Sequence, residues 1–332
     1  MRIVTLEEHY ATPQHPGQGP IPFTPEFVQQ SEDRIRDIER YRIPEMDATG
    51  IDVQVLSSTL PAMQWEPDPQ AAVERATAMN NALADAVATH PDRFAGFAAL
   101  PCQDPAAAAA ELRRCVHELG FVGALVHGHT HGVYLDDPRF APLWAEFEAL
   151  DVPLYLHPTF PTEPPAVLRG YPALHGAAWG WAFETGSHLL RLIAGGVFDR
   201  HPGATVIVGH MGEGLPFALN RLDDRWTIMQ HDQPIQQPPS HYLRHNTYLT
   251  SAGAEDEAAL HCAIATMGVE RVLFAVDYPY QSPYTATEFI RTARLDDHDR
   301  HAICSGNADK LLHLNPDGPP ETARPSGGLD GR

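Results

Sequence analysis

Two glutamates and a histidine close the first strand-like run of the chain, in Leu6-Glu7-Glu8-His9. Side chains two apart on an extended segment share a side, so Glu7 and His9 face together and Glu8 faces away. Other short apolar runs end in residues of the same chemical kind: His157 after VPLYL, His210 after ATVIV and Asp277 after RVLFAV. Two imidazoles and two carboxylates, on Glu7, His9, His157 and Asp277, suit a divalent ion of borderline or moderately hard character, Zn2+ or Mn2+. Each residue alone has a plainer use, since a histidine at a strand end can line a polar surface and a glutamate can pair with an arginine. The metal reading rests on all four converging at one end of one sheet.

His210 and Glu213 stand three apart across a glycine-containing turn, HMGEG, close enough to share a proton or a hydrogen bond. The plainer reading puts Glu213 at a helix N-terminus, where the dipole favours a carboxylate. Arg221 follows two turns further along the same predicted helix, where a surface or ion-pair role is open to it. Glu8 reads as structural, and Asp223 and Asp224 as a solvated helix face.

Eight short apolar segments are predicted as strands: Arg2–Leu6, Asp52–Ser57, Arg93–Ala99, Val122–Val126, Val152–Leu156, Ala204–Val208, Asn246–Thr250 and Arg271–Val276. Their β-branched, near-continuous apolar character is that of parallel strands buried on both faces. Helical spacing marks Pro69–His90, Pro105–Leu119 with Gly120 as a C-terminal cap, Pro138–Leu150, Trp181–Gly195 and Glu255–Met267. This alternation predicts an α/β chain folded as a (β/α)8 TIM barrel, whose active sites form at the C-terminal ends of the strands. An open doubly wound sheet is the alternative, weakened by the lack of a GxGxxG after the first strand. The barrel is expected over residues 1–315 as one domain. A Pro- and Gly-rich flap is expected at 12–24, and a disordered tail at 316–332.

The chain of 332 residues carries a formal charge of −20, which opposes binding to nucleic-acid phosphates. With 43% hydrophobic and 20% charged residues it has ample material for a core, and no apolar run is long enough to span a bilayer. The first residues do not read as a signal peptide. The four cysteines, Cys102, Cys115, Cys262 and Cys304, form no CxxC pair and read as free thiols. These features point to a cytoplasmic protein without a membrane or nucleic-acid partner.

The motifs LEEHYA (Leu6–Ala11), GFVGALV (Gly120–Val126), DVPLYLHP (Asp151–Pro158), VFDRHP (Val197–Pro202), GHMGEGLPF (Gly209–Phe217), VDYP (Val276–Pro279) and GNADKLL (Gly306–Leu312) occur in this order. Together they resemble the amidohydrolase-related, metal-dependent decarboxylases of the amidohydrolase superfamily, over about residues 3 to 315. The resemblance implies that Glu7, His9, His157 and Asp277 bind one divalent ion, Zn2+ or Mn2+. It also implies that His210 and Glu213 act as a pair beside the ion, that Arg221 contacts substrate, and that the protein is a homodimer or homotetramer. The implied reaction is non-oxidative decarboxylation of an ortho-hydroxybenzoate-like acid, with Asp277 as proton donor assisted by His210 and Glu213. One departure concerns His127 in VHGHTH, where the branch acting on 2,6-dihydroxybenzoate carries an asparagine near the substrate ring. A second is Tyr278 with Tyr280-Gln281, where Trp and Phe-Glu are common. A substrate-facing His127 is therefore expected to disfavour 2,6-dihydroxybenzoate. The alternative has His127, His129 and His131 lining a solvated loop. Two rival functions remain: a hydrolase or hydratase of the same superfamily, in which the metal activates water, and a catalytically inert binding protein on the same fold.

Overall fold

The computed structural model describes residues 1–12, 15, 23–61, 63–229 and 235–314. Most of the expected flap and the whole expected tail at 316–332 lie outside the described residues. Nine parallel strands appear among them: β1 (Val4–Tyr10), β2 (Val53–Ser58), β3 (Phe94–Gly96), β4 (Ala98–Ala99), β5 (Ala124–His127), β6 (Leu154–His157), β7 (Val206–Val208), β8 (Thr247–Thr250) and β9 (Val272–Leu273). They fill the eight predicted positions, because β3 and β4 are one predicted strand broken at Phe97. The break divides the ladder, with β1-β2-β3 in one run and β4 to β9 in the other. The ends meet where Glu8 pairs with Tyr278 in a parallel bridge and the His9 N–H donates to the Tyr278 carbonyl at 2.7 Å. The strands and covering helices make up a TIM barrel.

The period of two sorts side chains onto two layers. Val4, Leu6, Val53, Val55, Phe97, Leu125, Tyr155, Ile207 and Leu273 fill the barrel interior. Leu56, Ala124, Val126, Leu154, Leu156, Val206, Val208 and Val272 face the helices. In β1 the register passes from Thr5↔Gln54 to Glu8↔Leu56, so Leu6 and Glu7 together oppose Val55. This bulge reverses the alternation. Val4 and Leu6 fill the interior below it, Glu7 and His9 point inward above it, and Glu8 turns outward.

The helices start where the sequence supplies caps. Asp68, Asp104 and Asp256 accept from backbone N–H groups in the first turns of Pro69–Thr89, Pro105–Leu119 and Glu257–Met267. Gly120 ends the second of these in the left-handed conformation, as expected. The predicted Pro138–Leu150 helix begins as a short 3-10 turn, Pro138–Phe140, and continues as Ala141–Leu150. Asp223 is not part of a solvated face: it accepts from the Ser240 N–H at 2.9 Å and the Ser240 hydroxyl at 2.6 Å. It thereby ties its helix to Pro239–Asn246.

Candidate metal and active site

Glu7, His9, His157 and Asp277 meet at the C-terminal mouth of the barrel, with one donor atom from each lying within 4.8 Å of all the others. His157 Nε2 is 3.2 Å from Glu7 Oε1, and His9 Nε2 is 3.2 Å from Asp277 Oδ1. The far side of each ring decides what these contacts are. His9 Nδ1 faces the Ser58 carbonyl at 3.3 Å and His157 Nδ1 the Pro158 carbonyl at 2.9 Å. A carbonyl only accepts, so both Nδ1 atoms carry the proton and both Nε2 atoms present lone pairs. The second oxygen of Glu7 accepts from the Tyr155 hydroxyl, which also meets Thr250 Oγ1 at 2.9 Å. Lone pairs of two imidazoles therefore confront carboxylate oxygens. Glu7 Oε1 and His9 Nε2 are buried without a hydrogen-bond partner among the described residues. A cation satisfies such a set, so these residues fit a divalent metal.

Tyr155 escaped the reading of the sequence. It stands two residues before His157 and so points to the same side, which is the signal that could have found it. Gly209 is needed beside it, because a Cβ there would lie 2.6 Å from Glu7 Oε2.

His210 and Glu213 are brought together by a run of left-handed backbone. His210, Met211, Gly212, Glu213 and Gly214 have φ of 53°, 54°, 75°, 55° and 77°. Three of these residues carry side chains, so the turn is strained, and such strain gathers at functional sites. It places His210 Nδ1 2.8 Å from Glu213 Oε1 and His210 Nε2 3.8 Å from Glu7 Oε1. Glu213 thus lies in the turn before the helix Leu215–Trp226, with its carboxylate on His210. Burial disfavours the His210 imidazolium, but Glu213 and Glu7 outweigh it and raise the group to about 10. Burial raises Glu7 as well, yet the charge of His210 chiefly outweighs it and holds the carboxyl near 2. Burial lowers His9 to about 4. Asp277, at φ 75°, is raised to about 8 by burial and then by the charge of Glu7.

An enclosed cavity of about 80 Å³ opens on His9, His157, His210 and Asp277 and is walled by Phe23, Phe27, Leu60, Trp181 and Tyr280. Through Ala177, Trp181 and His210 it joins a wider groove of about 440 Å³. Tyr280 and Gln281 line the cavity, whereas Tyr278 is buried on the outer side beneath the Arg42 guanidinium. Arg221 is exposed on Leu215–Trp226 and does not line the cavity of its own chain. The three histidines after β5 separate. His129 is held by the Phe160 carbonyl and the Gly132 N–H, and His131 by the Glu66 carbonyl. His127 is buried against His9 and His157 and held neutral, burial pushing it well below its ordinary value.

A parallel barrel with two histidines and two carboxylates at its strand ends defines a metal-dependent amidohydrolase-type protein. The amidohydrolase family matches residues 9–314, and the chain belongs to that family, within its decarboxylase branch. It is 41% identical over 326 residues to γ-resorcylate decarboxylase of Rhodococcus jostii, covering 94% of this chain and 98% of the relative. A crystal structure of 2,6-dihydroxybenzoate decarboxylase with 2,6-dihydroxybenzoate aligns with a TM-score of 0.90 at 40% identity, over 95% of this chain and 99% of that one. The dihydroxybenzoic acid decarboxylase of Polaromonas sp. JS666, bound to manganese and the inhibitor 2-nitroresorcinol, aligns at 0.89 with 38% identity, over 95% and 97%.

Proposed function

We propose that this chain is a metal-dependent, non-oxidative decarboxylase of an ortho-hydroxybenzoate-like acid, with Glu7, His9, His157 and Asp277 holding one divalent ion, Zn2+ or Mn2+. The observation that carries the reading is the meeting of lone-pair donors at the mouth, with both histidine protons committed to backbone carbonyls behind them. A relative that bears manganese and a nitroresorcinol inhibitor supports it. When bound, the ion supplies Lewis acidity and a template for the substrate's carboxylate and neighbouring phenolic oxygen.

The remaining work belongs to side chains of this protein. His210, cationic beside Glu213, attracts the anionic acid. Phe23, Phe27, Trp181 and Tyr280 enclose an aromatic ring and exclude water. Asp277 delivers a proton to the ring carbon that bears the carboxylate. The carbon–carbon bond then breaks, CO2 leaves, and the electron pair of that bond restores aromaticity. Burial favours protonated Asp277 while a neighbouring cation opposes it, so the proton resides there only transiently. Arg221 is proposed as a substrate contact on the family resemblance alone, since it stands outside this chain's own cavity.

The test is a panel of hydroxybenzoic acids turned over by metal-reconstituted protein, following CO2 and the phenol. Both products should appear in equal amounts. His127 does not line the cavity, so the expected discrimination against 2,6-dihydroxybenzoate loses its structural basis. A hydrated or ring-opened product without CO2 would support the hydrolase or hydratase reading, and a fully loaded but inert protein would overturn both enzymatic readings.

The same reading makes residues 1–315 one catalytic domain, places the protein in the cytoplasm and makes it a homodimer or homotetramer. The four cysteines are free, in keeping with a reducing compartment. Among the described residues no helix is long and apolar enough to cross a membrane. Large apolar side chains stand exposed on and beside the helices next to the mouth, Trp179, Phe183, Phe217 and Ile228 among them, as a subunit interface requires. Sedimentation velocity at micromolar concentration should show an oligomer; a 36.5 kDa monomer alone overturns that part.

A further inference from the structure

His127 closes β5 and pairs in register with His157 at the end of β6. Side chains in register on adjacent parallel strands share a side, so the two rings enter the mouth together, with centroids 4.6 Å apart. Its backbone is fixed: the His127 N–H donates to Gln64 Oε1 at 3.3 Å, and a Cβ on the next residue, Gly128 (φ +58°), would collide with Thr159. One ring nitrogen from each of His9, His127 and His157 lies within 4.8 Å of the others, a group that shares His9 and His157 with the four-residue site but not its carboxylates. That distance is close to the separation of about 4.2 Å that two nitrogens on one zinc can reach. His127 Nε2 is buried and has no hydrogen-bond partner among the described residues, the same condition as His9 Nε2. The ring stands behind His9 and His157 and does not line the substrate cavity.

From these observations we infer that His127 is a further metal donor, adding a third imidazole to the site formed by Glu7, His9, His157 and Asp277. The inference rests on the metal reading of those four residues and assigns His127 to the ion instead of the substrate ring. Imidazole suits zinc, copper, iron and nickel, whereas carboxylate suits manganese and magnesium. An added imidazole therefore biases the site toward zinc over manganese, relative to a chain with an amide at this position.

The test uses wild-type protein with His127→Asn and His127→Gln, each stripped by chelator and checked for native circular dichroism. Dissociation constants for Zn2+ and Mn2+ alone are measured by chelator competition. Pulsed electron paramagnetic resonance on the Cu2+-loaded proteins counts the coupled imidazoles. Both variants should still take up one ion. Their zinc affinity should fall by at least the roughly 10–100-fold that loss of an outer-shell partner costs. Manganese affinity should fall less, and the imidazole count should drop by one. Variants with wild-type affinities and an unchanged count overturn the assignment while the four-residue site stands; a raised KM in those variants would move His127 to the substrate. A wild-type protein that takes up no ion overturns the four-residue site as well.

Discussion

Glu7 and Glu8 are neighbours in sequence and equally buried, yet they serve opposite ends. Glu7 turns into the mouth, where one oxygen is held by Tyr155 and the other has no hydrogen-bond partner among the described residues. Glu8 turns into the layer between barrel and helices. There it accepts from the Val276 N–H at 3.0 Å and Gln54 Nε2 at 3.2 Å. Arg42 completes this layer, donating to Gln54 Oε1 at 2.9 Å and to the His9 carbonyl at 2.5 Å. Burial raises Glu8 to about 7, whereas Glu7 is held near 2 by the histidines around it. The groups around Glu8 are answered from within the chain and hold the fold. Those in the mouth are left open, and an open, charged, buried group is a binding site in waiting.

If the contrast is right, damage to the mouth should remove function and spare the fold, and damage to the layer should do the reverse. The largest effect is expected from His157→Ala. The variant should fold and melt like the metal-free wild type, yet lose most of its metal by elemental analysis. Full metal retention would remove His157 from the site. Next comes Asp277→Asn, which can still offer an oxygen to a cation but cannot deliver a proton. Steady-state kinetics should show kcat lowered by roughly 10²–10⁴-fold with KM near normal. An active variant would exclude Asp277 as the donor.

On the layer side, Glu8→Ala leaves the Val276 N–H and the Gln54 amide without their acceptor. Chemical denaturation should register about 1–3 kcal/mol lost for each buried group left unpaired. The folded fraction should still bind metal. A variant as stable as wild type that has lost its metal would reverse the roles assigned to the two glutamates.

The smallest effect concerns His188, also in the layer. It is fully buried, accepts from the Leu135 N–H at 3.0 Å, and is lowered by burial from 6.5 to about 3. Below pH 6.5 the unfolded chain binds a proton that the folded chain refuses, so acidification costs stability progressively down to about pH 3. His188→Gln removes this contribution. The stability gap between wild type and variant should therefore shrink as pH falls from 7.5 to 5, and a constant gap would show that His188 titrates alike in both states.

Much of this was legible from local patterning. Apolar runs separated by helical spacing foretold the barrel, because strands buried on both faces must be apolar whatever their partners. The alternation within LEEH separated Glu7 and His9 from Glu8, because a period of two is a property of the extended backbone itself. The chemistry of His157, His210 and Asp277 was visible because each follows a strand-length run. Three features needed the tertiary structure. A bulge at Leu6-Glu7 lets Val4 and Leu6 share the interior with Glu7 and His9, and strand register depends on the neighbouring strand. Left-handed backbone through HMGEG sets Glu213 on His210, against the helical preference of most residues, and only surrounding packing sustains it. His127, His129 and His131 are alike on paper. Register with His157 sends the first into the mouth, and the Phe160 and Glu66 carbonyls hold the other two in the loop. Spacing along one strand is decided by bonds within it, whereas which buried group goes unanswered is decided by segments far away in the chain.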